Sequence, residues 1–282
     1  MMRPMRFEKW QALGNDYLIV EASDLSFPLT AAAVRRLCDR HTGPGADGVL
    51  ELSRADAPGF VARLRIFNAD GSEAELSGNG AREAIMYLRR AGWTGQDEFS
   101  IQTAAGAIRP TILGPRTCRV DMGRARLRSE HFPAGGADGT GDVAGRRFQH
   151  VAIGNPQCAI RVGGIDELVA LDLAAIGPAI ERDRQFPNRT NVSFWCPTGA
   201  DTIRARIFER GVGETRSSGT GACGAAVAFA LAGGHSPVTV VLDGGALEVD
   251  VDESLHVDLT GWAVPVYRGE LSDELLAELR ET

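Results

Sequence analysis

Two stretches of this sequence carry the same set of residues at what reads as the same turn. Residues 65–81 are RIFNADGSEAELSGNGA and residues 206–222 are RIFERGVGETRSSGTGA; without a gap they agree at eight of seventeen positions, 141 residues apart in a chain of 282. In each, a short apolar run leads into Ser-Gly-x-Gly-Ala and then into a small-residue helical pattern. Glycine lets the backbone turn tightly and come close to a ligand, and the first turn of a helix leaves N–H groups unpaired with partial positive charge. Such a turn is ready to hold an anion. Two of them converging on one molecule would cradle a carboxylate and offer Ser77 and Ser218 to opposite faces of its α-carbon. That arrangement suits a two-base racemase or epimerase, in which one side removes the α-proton and the other returns a proton to the opposite face, the growing charge being met by the helix ends. Each serine taken alone could equally be an ordinary N-cap.

Both turns need elements that position them. The runs LRIF and ARIF read as strands, and GAREAIMYLRRAG and GACGAAVAFALAGG as helices ended by glycine. Further strands are expected in FSIQTAAGAIRPTIL, RTCRVDMG, VTVVLDGGALEVDVDE and LHVDLTG. A second echo, LGND with Asn15 and IGNP with Asn155, is offset by 140 and supports an internal duplication. The Gly- and Ala-rich stretch Ser129–Arg147 falls at the midpoint and reads as an exposed linker. Two α/β (α+β) halves follow, 1–125 and 126–262.

Composition narrows the class. Hydrophobic residues make up 44% and charged residues 24%, as in globular proteins. A net charge of −7 argues against a nucleic-acid partner. No run approaches the roughly 20 apolar residues of a membrane span, and the N-terminus has no signal-peptide pattern, so a cytoplasmic protein is expected. The five cysteines show no CxxC pair or metal-ligand spacing. They are expected to be buried thiols, Cys223 included. There is no GKS/T loop or GxGxxG fingerprint, so neither metal nor cofactor is expected.

The blocks LGNDY, FNADGSEAELSGNGAR, IGNPQC and RIFERGVGETRSSGTGAC together resemble the signature blocks of the diaminopimelate epimerase family, from Phe7 to about Tyr267. The resemblance implies a cofactor-independent amino-acid epimerase of lysine and peptidoglycan synthesis, commonly a homodimer. It implies two pseudo-twofold-related domains, each a curled mixed or antiparallel sheet around a central helix, the first completed by a last strand within 263–282, with proton transfer at a substrate α-carbon in the interdomain cleft. It assigns substrate contacts to Asn15, Asn68, Asn155 and Asn191, and the substrate's amino and carboxyl groups to Glu209 and Arg210. Gly78 with Asn79 and Gly219 with Thr220 become the anion-cradling turns. Three departures fall at the chemistry. The family's two catalytic cysteines are Ser77 and Ser218, its GNPH histidine is Gln157, and a frequent Gln of an early block is Gly48. An alcohol is a weaker acid than a thiol and needs a neighbouring base. The alternatives left open are proton transfer by a single carboxylate, Glu73, Glu75 or Glu214, as an isomerase or lyase, and a relative that only binds an amino-acid-like ligand.

Overall fold

The computed structural model describes residues 5–281. The chain divides into two compact units, residues 1–120 with 262–282 and residues 121–261. No described helix is long and apolar enough to cross a membrane.

Unit 1 begins with a hairpin of β1 (Arg6–Ala12) and β2 (Asn15–Glu21). Its two turn residues, Leu13 and Gly14, have φ of 55° and 83°. A two-residue turn with both φ positive matches the right-handed twist of its strands, and it sets Asn15 at the head of β2. Helix α1 (Ala31–Cys38), capped by Thr30, carries the chain to β3 (Gly48–Ser53), parallel to β2. β4 (Ala62–Asn68) returns antiparallel, and the short β5 (Glu73–Ala74) folds back on it. Helix α2 (Gly78–Arg90) then crosses to β6 (Ile101–Thr103), parallel to β4, and β7 (Gly106–Ile108) follows. β8 (Pro110–Ile112) pairs with β9 (Thr117–Arg124), within which the chain enters unit 2.

Unit 2 repeats the order. β10 (Thr140–Val143), β11 (Arg146–Ile153) and β12 (Asn155–Arg161) form a meander. Helices α3 (Ile165–Ala170) and α4 (Leu173–Glu181) lead to β13 (Asn191–Pro197), parallel to β12. β14 (Thr202–Glu209) is antiparallel to β13 and carries the short β15 (Gly213–Thr215). Helix α5 (Gly219–Leu231) crosses to β16 (Val238–Leu242), parallel to β14, before β17 (Gly245–Val251) and β18 (His256–Trp262). The chain ends in unit 1 with β19 (Val264–Glu270), antiparallel to β1, and α6 (Asp273–Glu281). Leu276 and Leu279 of α6 enter the same apolar cluster as Leu18, Val34 and Phe67.

The repeated helices are the cores of their units. Ala81 to Leu88 of α2 and Gly219 to Phe229 of α5 are all buried. α5 is nearly all Gly, Ala and small apolar residues, so it can be covered on every side. Both helices end as the sequence suggests, with Gly92 and Gly233 at φ of 80° and 89° just past the last turn.

Two expectations need correction. Ser129–Arg147 is not a bare linker, because it lies inside unit 2. Phe132 packs there against Phe148 and Phe186, Ser129 bonds His150, and the segment closes with the β10–β11 hairpin. The turn glycines also act differently from the reading above. Gly78, Gly80, Gly219 and Gly221 are not among the residues with positive φ. What Gly80 and Gly221 supply is the absence of a side chain: a Cβ on Gly221 would lie 2.6 Å from Ile207 of β14, and one on Gly80 3.1 Å from Leu50 of β3.

Gly48 is tighter still. Its Cβ would meet the Phe67 carbonyl oxygen at 2.3 Å and the Tyr17 ring at 2.5 Å. Backbone within a strand cannot give way, so Gly48→Ala is expected to cost about 2–3 kcal/mol. A fall in the urea unfolding midpoint at unchanged slope would show it.

Candidate active site

In unit 1, Ser77 is the N-cap of α2, with extended backbone, and its Oγ accepts the Gly80 amide at 3.1 Å. The same oxygen accepts a second hydrogen bond, from the phenol of buried Tyr17 at 3.2 Å. Asn79, 4% exposed, donates to Asn15 Oδ1 at 3.2 Å and accepts from the buried Arg82 guanidinium. Asn15 in turn donates to Asp47 Oδ2 at 2.8 Å. Asn15 and Asn79, predicted from separate blocks, are therefore direct neighbours. Asn68 is exposed and donates to Ser72 Oγ at 3.0 Å, closing the turn before β5.

An ionic cluster holds this corner. Asp16 pairs with Lys9 at 2.6 Å and with Arg40 at 2.7 Å, and Arg40 also reaches Asp47 at 2.7 Å. Burial alone would raise the Asp16 pKa, but the hydrogen bonds and charges of Arg40 and Lys9 outweigh it and hold it at about 2, against the usual 3.8. Glu83, on the next turn of α2, is fully buried; burial pushes its carboxyl well above the ordinary range, with the charge of Arg82 opposing.

In unit 2, Ser218 is buried, caps α5 and accepts the Gly221 amide at 3.2 Å. Glu209, at the end of β14, accepts from Thr215 Oγ1 at 2.7 Å. Burial raises its carboxyl pKa, and hydrogen bonds from Thr215 and Ser218 work against the rise. Ser218 thus sits beside a carboxylate of increased basicity. Asn191 spends its amide within the protein: Nδ2 donates to the Pro156 carbonyl at 3.1 Å, and Oδ1 accepts the Arg210 amide at 2.8 Å. Its placement makes it a clamp between β12 and the Glu209–Arg210 turn. The exposed Arg210 guanidinium donates to the Asn188 carbonyl at 2.9 Å. Gln157 is fully buried; its Nε2 donates to Asn155 Oδ1, while its Oε1 has no hydrogen-bond partner among the described residues. Gly219 and Thr220, the first two residues of α5, are buried, as is Cys223.

The carboxylates proposed as single bases are placed differently. Glu73 is gripped by both arms of Arg65 at 2.9 and 2.8 Å, and that hydrogen bonding lowers its pKa, which makes it a poorer base. Glu214 is gripped by Arg206 at 2.8 Å. These are matching struts across β4–β5 and β14–β15. Glu75 is exposed. One group with metal-ligand spacing exists among the described residues, Asp121, His256 and Asp258, on β9 and β18. His256 Nε2 is already 3.0 Å from Asp121.

Sequence reasoning passed over three residues: Tyr17, Thr215 and Asp47. Tyr17 and Thr215 lie inside the quoted blocks and carry hydroxyls; only the fold shows that they reach Ser77 and Glu209.

The diaminopimelate epimerase family matches residues 7–128 and 150–268. The chain belongs to this family. A diaminopimelate epimerase of Desulforudis audaxviator is 40% identical over 279 residues, covering 94% of this chain and 99% of that one. Diaminopimelate epimerase 2 of Nostoc sp. is 38% identical over 282 residues, covering 97% and 98%. Among solved structures, a phenazine biosynthesis protein of the PhzF family from Bacillus anthracis shares the fold at a TM-score of 0.69 and 18% identity, covering 96% of this chain and 100% of that one. A hydroxyproline epimerase from Agrobacterium vitis with bound trans-4-hydroxy-L-proline does so at 0.66 and 14%, covering 99% of each. The family's relatives are isomerases, and the chain is an amino-acid epimerase by family.

The Asp16 cluster generates a stability prediction. Its folded-state pKa lies below the unfolded value, so its contribution is present above about pH 4 and is lost as pH falls toward 2. Asp16→Asn is expected to remove about 1–2 kcal/mol at pH 7, allowing for solvent screening, and to flatten the loss of stability between those limits. Urea unfolding across pH 2–7 measures both.

Proposed function

We propose that this chain epimerises an amino acid of the diaminopimelate class by cofactor-free proton transfer at the α-carbon, with Ser77 and Ser218 serving opposite faces. The observation that carries the reading is the Ser218–Glu209 contact, in which a hydroxyl lies beside a carboxylate made more basic by burial. Glu209 takes the Ser218 proton as the Ser218 oxygen takes the α-proton, the pattern by which an alcohol acts as a base. Ser77 returns a proton to the other face. The negative charge that spreads onto the substrate carboxylate meets the amide-rich starts of α2 and α5 at Gly78–Asn79 and Gly219–Thr220.

Arg210 would hold the substrate carboxylate, and Asn15, Asn155 and the Gln157 Oε1 acceptor would serve its ammonium and side chain. Asn191 acts by fixing the Arg210 backbone, and Asn68 by closing its turn. The doubled strand order, the paired Arg–Glu struts and the two serine caps support an origin by duplication. The reading includes a cytoplasmic homodimer, for which β19, at the edge of its sheet and exposing Val266 and Tyr267, offers a surface.

Incubation of the purified protein with diaminopimelate in D₂O should wash deuterium into the α-position and interconvert the isomers. Ser218→Ala and Glu209→Gln should each lower kcat by at least about 100-fold. Absence of exchange in the parent protein would leave only a ligand-binding role. Because Glu209 must be ionised, the acid limb of kcat/KM should lie above the ordinary glutamate value of 4.5. Thr215→Val, which removes a donor to the carboxylate, should move that limb up by about half a unit to one unit.

A further inference from the structure

Ser218 has Glu209 as its proton acceptor. The residue that matches Glu209, 141 positions earlier, is Asn68, which cannot ionise. The reading of the site therefore leaves Ser77 without a partner for its proton. The first repeat supplies one from a different strand. Tyr17 of β2 is 5% exposed, and its hydroxyl donates to Ser77 Oγ at 3.2 Å. In the second repeat the residue 140 positions on is Gln157, an amide. The two repeats are thus complementary: tyrosine with asparagine in one, glutamine with glutamate in the other. Each serine has one proton-exchanging partner, drawn from opposite positions.

The neighbouring strand is shaped to match. Tyr17 stands beside Gly48 in the parallel β2–β3 register, as Gln157 stands beside Asn191 in β12–β13. A side chain on Gly48 would occupy the place of the Tyr17 ring, coming within 2.5 Å of it. The bare position lets the ring lie across β3 with its hydroxyl on Ser77. The Ser77 oxygen receives the Gly80 amide as well as the phenol. Two donors into one oxygen at a helix start favour its negatively charged form.

We infer that Tyr17 is the proton-holding partner of Ser77, positioning that serine and recharging it during turnover; this rests on the epimerase reading above. When the carbanion has formed, the Ser77 O–H bond breaks and its proton makes the new C–H bond. The electron pair left on Oγ takes the phenolic proton, leaving tyrosinate. In the reverse direction tyrosinate takes the Ser77 proton as the Ser77 oxygen takes the α-proton. One forward turnover leaves Glu209 protonated and Tyr17 ionised, and exchange with water resets both.

The test is Tyr17→Phe in the full-length protein, assayed by diaminopimelate epimerisation and by α-deuterium exchange, with circular dichroism and the urea midpoint confirming the fold. The expected result is a kcat about 100-fold lower with KM within about twofold of the parent. In a Ser77→Cys background, where a thiol ionises on its own, the same change should alter kcat less than about threefold. Two results overturn the inference: a kcat for Tyr17→Phe within threefold of the parent, or an equal loss in both backgrounds. If the parent protein neither epimerises nor exchanges, the epimerase reading falls and takes this inference with it. An active parent with an indifferent Tyr17→Phe removes the inference alone.

Discussion

The organisation of both repeats depends on one interaction: a serine oxygen accepting the amide of the third residue of a buried helix. Ser77 does this for Gly80 and Ser218 for Gly221. A helix start inside a protein cannot leave its first N–H groups unpaired without a penalty of about 1–3 kcal/mol each. The cap satisfies one of these donors in each repeat. In the proposed reaction the same oxygen also exchanges a proton. An acceptor already holding one or two donors is biased toward its anion, so capping and acidity reinforce each other. This is a physical route by which a residue as inert as serine can stand at a position of chemistry.

The second constraint is closeness. α2 and α5 run against the sheets of their units, and a Cβ would crowd Ile207 at Gly221 and press on Leu50 at Gly80. The distance from strand to helix start is therefore fixed by packing rather than by the turn. On the strand side, the Arg65–Glu73 and Arg206–Glu214 pairs brace the short β5 and β15 that lead into each cap. Glu209 is brought to Ser218 by that bracing, through a turn whose Thr215 is also its hydrogen-bond donor. Partial burial of the carboxylate then raises its basicity without leaving it unpartnered.

The sequence disclosed the doubled plan well, because the information was local. Ser-Gly-x-Gly-Ala followed by an apolar helical period can be read from a single window, and so can glycine past the last turn. The repeat offset made each half support the other. Relations carried by strand register were not legible. That Tyr17 and Gly48 are side by side depends on a parallel pairing across the α1 crossover, and nothing within either block states it. The glycines were misread for a related reason: their type was visible, while the atoms they make room for are distant in sequence. Ser129–Arg147 misled because its composition is that of a linker, although a single phenylalanine, Phe132, anchors it in an aromatic cluster.

The final strand and helix have a consequence for biosynthesis. Unit 2 is continuous, whereas unit 1 is finished only by β19 against β1 and by Leu276 and Leu279 in its apolar cluster. On the ribosome, the half made first must wait for residues 262–282 to emerge. The later-made half can close before it, which reverses the usual N-to-C order of domain maturation. Until β19 and α6 are made, the waiting half keeps the flank of β1 bare and the leucine socket open. The connectivity thus sets an interval in synthesis during which unit 1 is present but unfinished.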